Sequence, residues 1–361
     1  MAEMEPETTL GGSLLVPSVQ ELAEQPLTSV PERYIRTDQE PPSMASDCHK
    51  EIPVIDMQRL LISGDSVESS AELHKLHSAC KDWGFFQLIN HGASSSVVEK
   101  AKHEIKELFR LPKEEKKELW QEPGDISGFG QAFVVSDEQK LDWGDLFYMV
   151  TLPPHLRKPQ LYSKLPQSFR ETMEAYCGEV KDLAMKILNF MAKALEMNAE
   201  DMKVLFEEGM QAIRINYYPP CPQPEQVIGL TPHSDAVGLT ILIQVNEIEG
   251  LQIKKGGMWV PVKPLPNAFI VNVGDVLEIV TNGIYRSIEH RATVNSTQER
   301  LSMATFLNPK LDGDMGPAPS LISPDTPALF KRIGVTDYFK GLFSRELQGK
   351  SYLDVMRIQN D

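Results

Sequence analysis

The chain is poor in cysteine: four residues in 361, at positions 48, 80, 177 and 221, with no paired spacing among them. That excludes a disulfide scaffold and a cysteine-based zinc site. Positive charge is also scarce, with 36 Lys and Arg against 51 Asp and Glu, a net charge of −15 and a pI near 5.1. Such a surface repels phosphate backbones and anionic lipid, which argues against nucleic-acid and membrane partners. No apolar run approaches the roughly 18 residues that a membrane span needs. The opening MAEMEPETTL has neither the apolar core of a secretory signal nor the arginines of a transit peptide, so a cytoplasmic location is expected. Internal repeats are absent.

What is present is ordinary globular material, 41% apolar and 24% charged. Residues 1–50 are rich in Pro, Glu and Ser and read as a variable, extended or mobile arm, with one helix within 14–25 started at Ser18. Residues 51–155 begin with the strand-like Ile52–Met57. They continue with a helical pattern over Ala71–Trp83, a strand over Gly84–Asn90, a helix carrying Val97 to Phe109 and a short strand at Phe133–Val135. Residues 156–208 hold the strongest helix signal, Ser168–Met197, where apolar residues from Phe169 to Leu195 recur every three or four positions.

From 209 to 310 the texture changes to short β-rich runs. They cover 212–218, 239–245, 251–255, 259–264, 268–273, 276–281, 285–295 and 300–308, with hairpin signals at Gly256-Gly257 and Asn282-Gly283. Strands without intervening helices, after a helix-rich half, predict an α+β protein with a jelly-roll or barrel core. Helices are expected in 311–361, around 325–333, 335–347 and 351–357.

The sharpest chemical feature is His233-Ser234-Asp235 with a distant His290. Residues i and i+2 of an extended segment share a face, so His233 and Asp235 can both point inward. His290 shares a face with Ile288 and Ala292. Two imidazoles and a carboxylate suit a non-haem Fe(II) facial triad with three open positions. They also suit a hydrolytic zinc ion. Arg300 and Ser302 repeat the i, i+2 spacing on another strand. An arginine facing a barrel interior requires an anionic partner, and its planar fork with the serine hydroxyl fits a carboxylate. A dicarboxylate that chelates iron at one end supplies that anion at the other. Phe306 and Asn308 continue the same face and are expected to line the same cavity.

These residues stand in longer motifs: Asn216-Tyr217-Tyr218-Pro219-Pro220-Cys221-Pro222, Gly229-Leu230-Thr231-Pro232 ahead of His233, Gly238-Leu239-Thr240, Asn272-Val273-Gly274-Asp275, His290-Arg291 and Arg300-Leu301-Ser302. Ile52-Pro53-Val54-Ile55-Asp56 and Trp83-Gly84-Phe85-Phe86 precede them. From about Ile52 to Leu353 the chain resembles the plant 2-oxoglutarate/Fe(II)-dependent dioxygenases, and among them the senescence-related-protein and codeine O-demethylase-like subgroup. The resemblance implies a distorted double-stranded β-helix with helices around it. It implies Fe(II) on His233, Asp235 and His290, and 2-oxoglutarate on Arg300 and Ser302, with Tyr218 and Asn216 near the cosubstrate. O2 would be consumed and ascorbate would stimulate. By family position Leu146, Tyr148, Phe133 and Arg214 join Phe306 and Asn308 in the substrate pocket. Phe339 and Phe343, on the helix around 335–347, would cover its mouth.

The implied reaction is hydroxylation or O-demethylation of a small aromatic plant metabolite of flavonoid or alkaloid type, by a monomer. A metal-dependent hydrolase and a non-catalytic barrel that binds a small ligand are the alternatives.

Overall fold

A computed structural model describes residues 12–38, 51–62 and 66–359. The strands of the two main sheets are β1 (Val54–Asp56), β2 (Phe85–Ile89), β3 (Gly128–Gly130), β4 (Asp145–Leu152), β5 (Gln211–Tyr218), β6 (Leu230–His233), β7 (Leu239–Gln244), β8 (Leu251–Lys255), β9 (Met258–Pro261), β10 (Phe269–Val273), β11 (His290–Ala292) and β12 (Arg300–Leu307). The α-helices among the described residues are α1 (Val19–Ala23), α2 (Met57–Leu60), α3 (Val67–Ser78), α4 (Ser95–Arg110), α5 (Lys113–Lys117), α6 (Pro159–Lys164), α7 (Gln167–Ala194), α8 (Ala199–Phe206), α9 (Asp275–Val280), α10 (Val335–Phe343) and α11 (Ser351–Met356).

Eight strands form one sheet in the order β1-β2-β10-β7-β12-β5-β4-β3, and four form a second in the order β6-β11-β8-β9. Side chains from both sheets border one interior cavity, so the sheets close on each other as a distorted double-stranded β-helix. The β8–β9 hairpin turns at Gly256-Gly257, both at positive φ, as the glycine pair predicts.

The long helix forms where its apolar period lies. Phe169, Met173, Tyr176, Val180, Leu183, Ile187 and Met191 of α7 are all buried. This stripe packs on α3, α4 and α8 and on the large sheet, which gives that sheet its outer support.

Several local expectations differ from the structure. Val276–Thr281, read as a strand, is the buried helix α9. Every residue from Asp275 to Val280 is buried, so the run has no exposed polar face to reveal its period. Asn282-Gly283, read as a hairpin turn, ends this helix instead, with φ of 50° and 79° and a Gly283 N–H donated to the Glu278 carbonyl. Phe133–Val135 is a bend rather than a strand, and Phe133 has a φ of 64°. The region 325–333 is irregular, because Pro324 and Pro327 remove backbone donors. Of the run 285–295 only β11 is strand.

The arm is not loose over residues 12–38. Val16, Val19, Val30 and Tyr34 are buried in a separate apolar cluster with Trp143, Cys221 and Val227. Ser18 caps α1, as expected, but the helix has only five residues. Its first turn docks on the buried Asp145 carboxylate, which accepts from the Ser18 hydroxyl at 2.6 Å and from the Val19 and Gln20 N–H groups at 2.9 Å each. Apolar positions too sparse for a period still bury when a Trp and a Tyr meet edge-on, here Trp143 and Tyr34 at 5.3 Å. Residues 1–11 and 39–50 of the expected arm lie outside the described residues.

Candidate active site

His233 is the last residue of β6, and His290, the first of β11, sits directly opposite it in the antiparallel ladder. Asp235 follows two positions later, in the turn after β6. The arrangement brings Asp235 Oδ1 to 3.5 Å from His233 Nε2 and 3.6 Å from His290 Nε2. One ligand atom from each of the three residues lies within 4.8 Å of the others, and all three residues are buried. Among the described residues this is the one cluster of this kind.

The second bonds of these side chains aim the set inward. His233 Nδ1 is 2.8 Å from the Thr231 carbonyl, and His290 Nδ1 is 3.2 Å from the Ile288 carbonyl. Each carbonyl requires an N–H at Nδ1, which leaves the Nε2 lone pair facing the centre. Asp235 Oδ2 accepts from Thr240 Oγ1 at 2.6 Å and from Asn272 Nδ2 at 2.8 Å, so Oδ1 alone remains for a metal. Burial would raise the Asp235 pKa, but the two imidazoles and Thr240 outweigh it and hold the carboxyl below its usual range. Burial, then the neighbouring His233, push His290 down to about 4, so its ring is neutral and able to coordinate near pH 7.

Arg300 and Ser302 lie on β12, opposite Tyr218 and Asn216 of β5. Arg300 is 2% exposed, yet no carboxylate pairs with it among the described residues. Its Nη1 reaches Ser302 Oγ at 3.5 Å, its Nη2 donates to Gln244 Oε1 at 3.2 Å, and its Nε has no partner. The guanidinium also lies over the Tyr218 ring, 5.4 Å from its centroid. Gly250 gives it room, since a Cβ there would sit 2.7 Å from Arg300 Cδ. Burial lowers the pKa of this arginine and raises that of Tyr218. A buried cation with an orphaned donor, in the same cavity as a His–Asp–His set, fits a dicarboxylate that chelates a metal.

The cavity between the sheets holds this set together with Asn216, Tyr218 and Arg214. A second, mainly apolar chamber meets it at the triad and shares His233, Asp235, Arg214 and Phe306 with it. Leu146, Tyr148, Phe133 and Asn308 border this outer chamber, as do Phe339 and Phe343 of α10. Phe306 spans both spaces, but Asn308 lies just past the end of β12 and borders the outer chamber alone. Phe133 and Phe343 stack across the mouth, with centroids 5.4 Å apart and planes at 12°. Thr240, Asn272 and Gln244 were not singled out from sequence. The first two stand in the quoted motifs, but the β7–β10 pairing that joins them at Asp235 is non-local.

Two sheets closing on a buried His–Asp–His centre, with an arginine in the same cavity that has no carboxylate partner among the described residues, define a non-haem metal-dependent oxygenase. The chain belongs to the 2OG-Fe(II) oxygenase superfamily. Residues 209–309 match the model of that superfamily, and residues 52–168 match that of the non-haem dioxygenase in morphine synthesis N-terminal region. The chain is 60% identical to oxoglutarate-dependent flavonoid 7-O-demethylase 1 of Ocimum basilicum, over 99% of this chain and 95% of that one. It is 53% identical to codeine O-demethylase of Papaver somniferum, over 97% and 98% of the two chains. The crystal structure of JOX2 in complex with 2OG, Fe and JA superposes with a TM-score of 0.85 at 34% identity, covering 95% of this chain and 98% of that one. The protein is thus a 2-oxoglutarate-dependent dioxygenase that uses Fe(II), 2-oxoglutarate and O2.

Proposed function

We propose that this oxygenase O-demethylates a methoxylated aromatic plant metabolite of flavonoid or alkaloid type. The observation that carries this is the apolar chamber walled by Phe133, Phe306, Phe339 and Phe343, which opens on the triad. The flavonoid and codeine O-demethylases named above support the choice of substrate and of bond.

In this reading His233, Asp235 and His290 hold Fe(II), and Arg300 with Ser302 takes the distal carboxylate of 2-oxoglutarate. Tyr218 and Asn216 border the same cosubstrate cavity. Fe(II), 2-oxoglutarate and O2 together supply the oxidising chemistry and release CO2 and succinate. The chain's own residues bind, orient and exclude water. Thr240 and Asn272 fix the free oxygen of Asp235 toward the centre. Arg300 sets which end of the dicarboxylate faces the metal. Leu146, Tyr148 and Arg214 on β4 and β5 line the chamber beside the triad, and with Phe306 and Asn308 they limit which substrate carbon reaches it. A methoxy carbon, once hydroxylated, is a hemiacetal that collapses to a phenol and formaldehyde without a protein base. A carbon without the ether oxygen stays an alcohol, so hydroxylation and demethylation differ only in the carbon presented.

Among the described residues no helix is long and apolar enough to cross a membrane. We cast the enzyme as a cytoplasmic monomer in which 1–50, 51–155, 156–208, 209–310 and 311–361 act as one catalytic unit. The test is purified enzyme with Fe(II), ascorbate and 2-oxoglutarate against matched methoxylated and unmethoxylated flavonoids and alkaloids. Loss of 14 mass units (about one CH2) with formaldehyde release supports the proposal. Turnover confined to the unmethoxylated compounds, with no formaldehyde, contradicts it.

A further inference from the structure

We propose that Arg36, Asp142 and Thr231 form a positioning relay that sets the direction of the His233 imidazole from outside the barrel. The segment 12–38 is then a working part of the metal site. This rests on the reading of His233 as an iron ligand.

The ring of His233 is fixed by one bond, from Nδ1 to the Thr231 carbonyl at 2.8 Å. Thr231 is held in turn by three. Its N–H donates to Asp142 Oδ2 at 3.1 Å, and its hydroxyl donates to Asp142 Oδ1 at 2.6 Å. The same hydroxyl accepts from Arg36 Nη1 at 2.8 Å. Arg36 Nη1 lies 3.6 Å from Asp142 Oδ1, and the two side chains are 11% and 22% exposed, so solvent screens this pair only in part. Arg36 is anchored by its own N–H, donated to the Gln226 carbonyl at 2.8 Å. Asp142 is anchored by its neighbours, as the Leu141 N–H donates to the Arg33 carbonyl and the Trp143 N–H to that of Ile228.

The other imidazole lacks such a buttress. His290 Nδ1 reaches the Ile288 carbonyl at a longer 3.2 Å, and Ile288 has no side-chain hydroxyl or carboxylate to fix it. These long-range bonds therefore converge on one ligand. They come from residue 36 of the N-terminal segment, residue 142 of the loop before β4, and residue 231 on the ligand's own strand. Arg36 and Asp142 touch no reacting group, so their role is positional.

The experiment uses the full chain and two readouts besides activity. Fe(II) affinity is titrated anaerobically with 2-oxoglutarate present, through the visible charge-transfer band, and folding is followed by the melting temperature of the metal-free protein. Partners that orient metal ligands typically change affinity by 10- to 100-fold, and one bond further out we expect about tenfold weaker binding in Thr231→Val and Asp142→Asn, with Thr231→Ser within about twofold of wild type. Arg36→Ala should weaken binding and Arg36→Lys should restore it; both lie at the outer end of the relay and serve if a Thr231 variant does not fold. Wild-type affinity in folded Thr231→Val, Asp142→Asn and Arg36→Ala overturns the relay. His233→Ala separates the two claims. If it binds Fe(II) like wild type, the ligand assignment falls; if it loses the band while the relay variants do not, the relay alone falls.

Discussion

Replacing Arg300 by Met separates what this cation does for the cosubstrate from what it does for the fold. Arg300 is 2% exposed and has no carboxylate partner among the described residues. A buried charge so poorly compensated weakens the metal-free fold, and its lowered pKa points the same way. Methionine has similar length and no charge, so the metal-free Arg300→Met variant should melt at or above the wild-type temperature. The bound state reverses the sign. Truncating one partner of a buried, hydrogen-bonded charge pair costs about 2–5 kcal/mol. At about 1.4 kcal/mol per tenfold, that is a loss of roughly 30-fold to several thousandfold in 2-oxoglutarate affinity. The assay titrates anaerobic Fe(II) enzyme with 2-oxoglutarate and with 2-oxobutanoate, which keeps the chelating end and lacks the distal carboxylate. Wild type should favour 2-oxoglutarate by about that factor, and the variant should lose the preference. Unchanged 2-oxoglutarate affinity in a folded variant would refute the role assigned to Arg300. A marked drop in the metal-free melting temperature would refute the desolvation argument.

Phe343→Ala should raise KM for the aromatic substrate and leave KM for 2-oxoglutarate unchanged, since Phe343 borders the outer chamber alone; losing its stack on Phe133 should cost about 1 kcal/mol of stability in urea unfolding. Trp143→Ala should cost about 3–5 kcal/mol, because Trp143 is fully buried at the centre of the N-terminal cluster, and limited proteolysis should then cut the segment 12–38 first. The pH dependence follows from His290, whose folded pKa near 4 lies below its ordinary 6.5. A depressed folded value means stability that is complete above 6.5 and lost as pH falls through 4. The melting temperature of metal-free wild type should therefore keep a constant offset from that of His290→Asn above pH 6.5 and fall relative to it as pH drops from 6.5 to 4. Parallel curves would contradict the assignment.

The elements most legible in the sequence were those with a period or a turn signal, such as the apolar stripe of α7 and the glycine pair between β8 and β9. The candidate ligands were legible because i, i+2 spacing survives into the structure, for Arg300 and Ser302 on β12 and for His233 and Asp235 at the end of β6. Reading failed where burial erased the period, as in α9, and where a backbone turned against its residue type, as at Phe133. It also missed partners brought together across strands or loops. Thr240 and Asn272 meet at Asp235 only because β7 pairs with β10. Asp142 reaches Thr231 only after the chain has folded between them. The N-terminal segment is the largest such case. Its composition suggested a mobile arm, but the surface it covers belongs to residues from 89 to 195 positions away.

The central claim is that the triad and the apolar chamber form one oxygen-dependent demethylating site. The most direct measurement is the ratio of formaldehyde to succinate with a methoxylated aromatic substrate, under air and under strict anaerobiosis. The account predicts one formaldehyde per succinate in air and neither product without O2. Product formed anaerobically, or succinate formed in air at the same rate whether or not the aromatic compound is present, would contradict it.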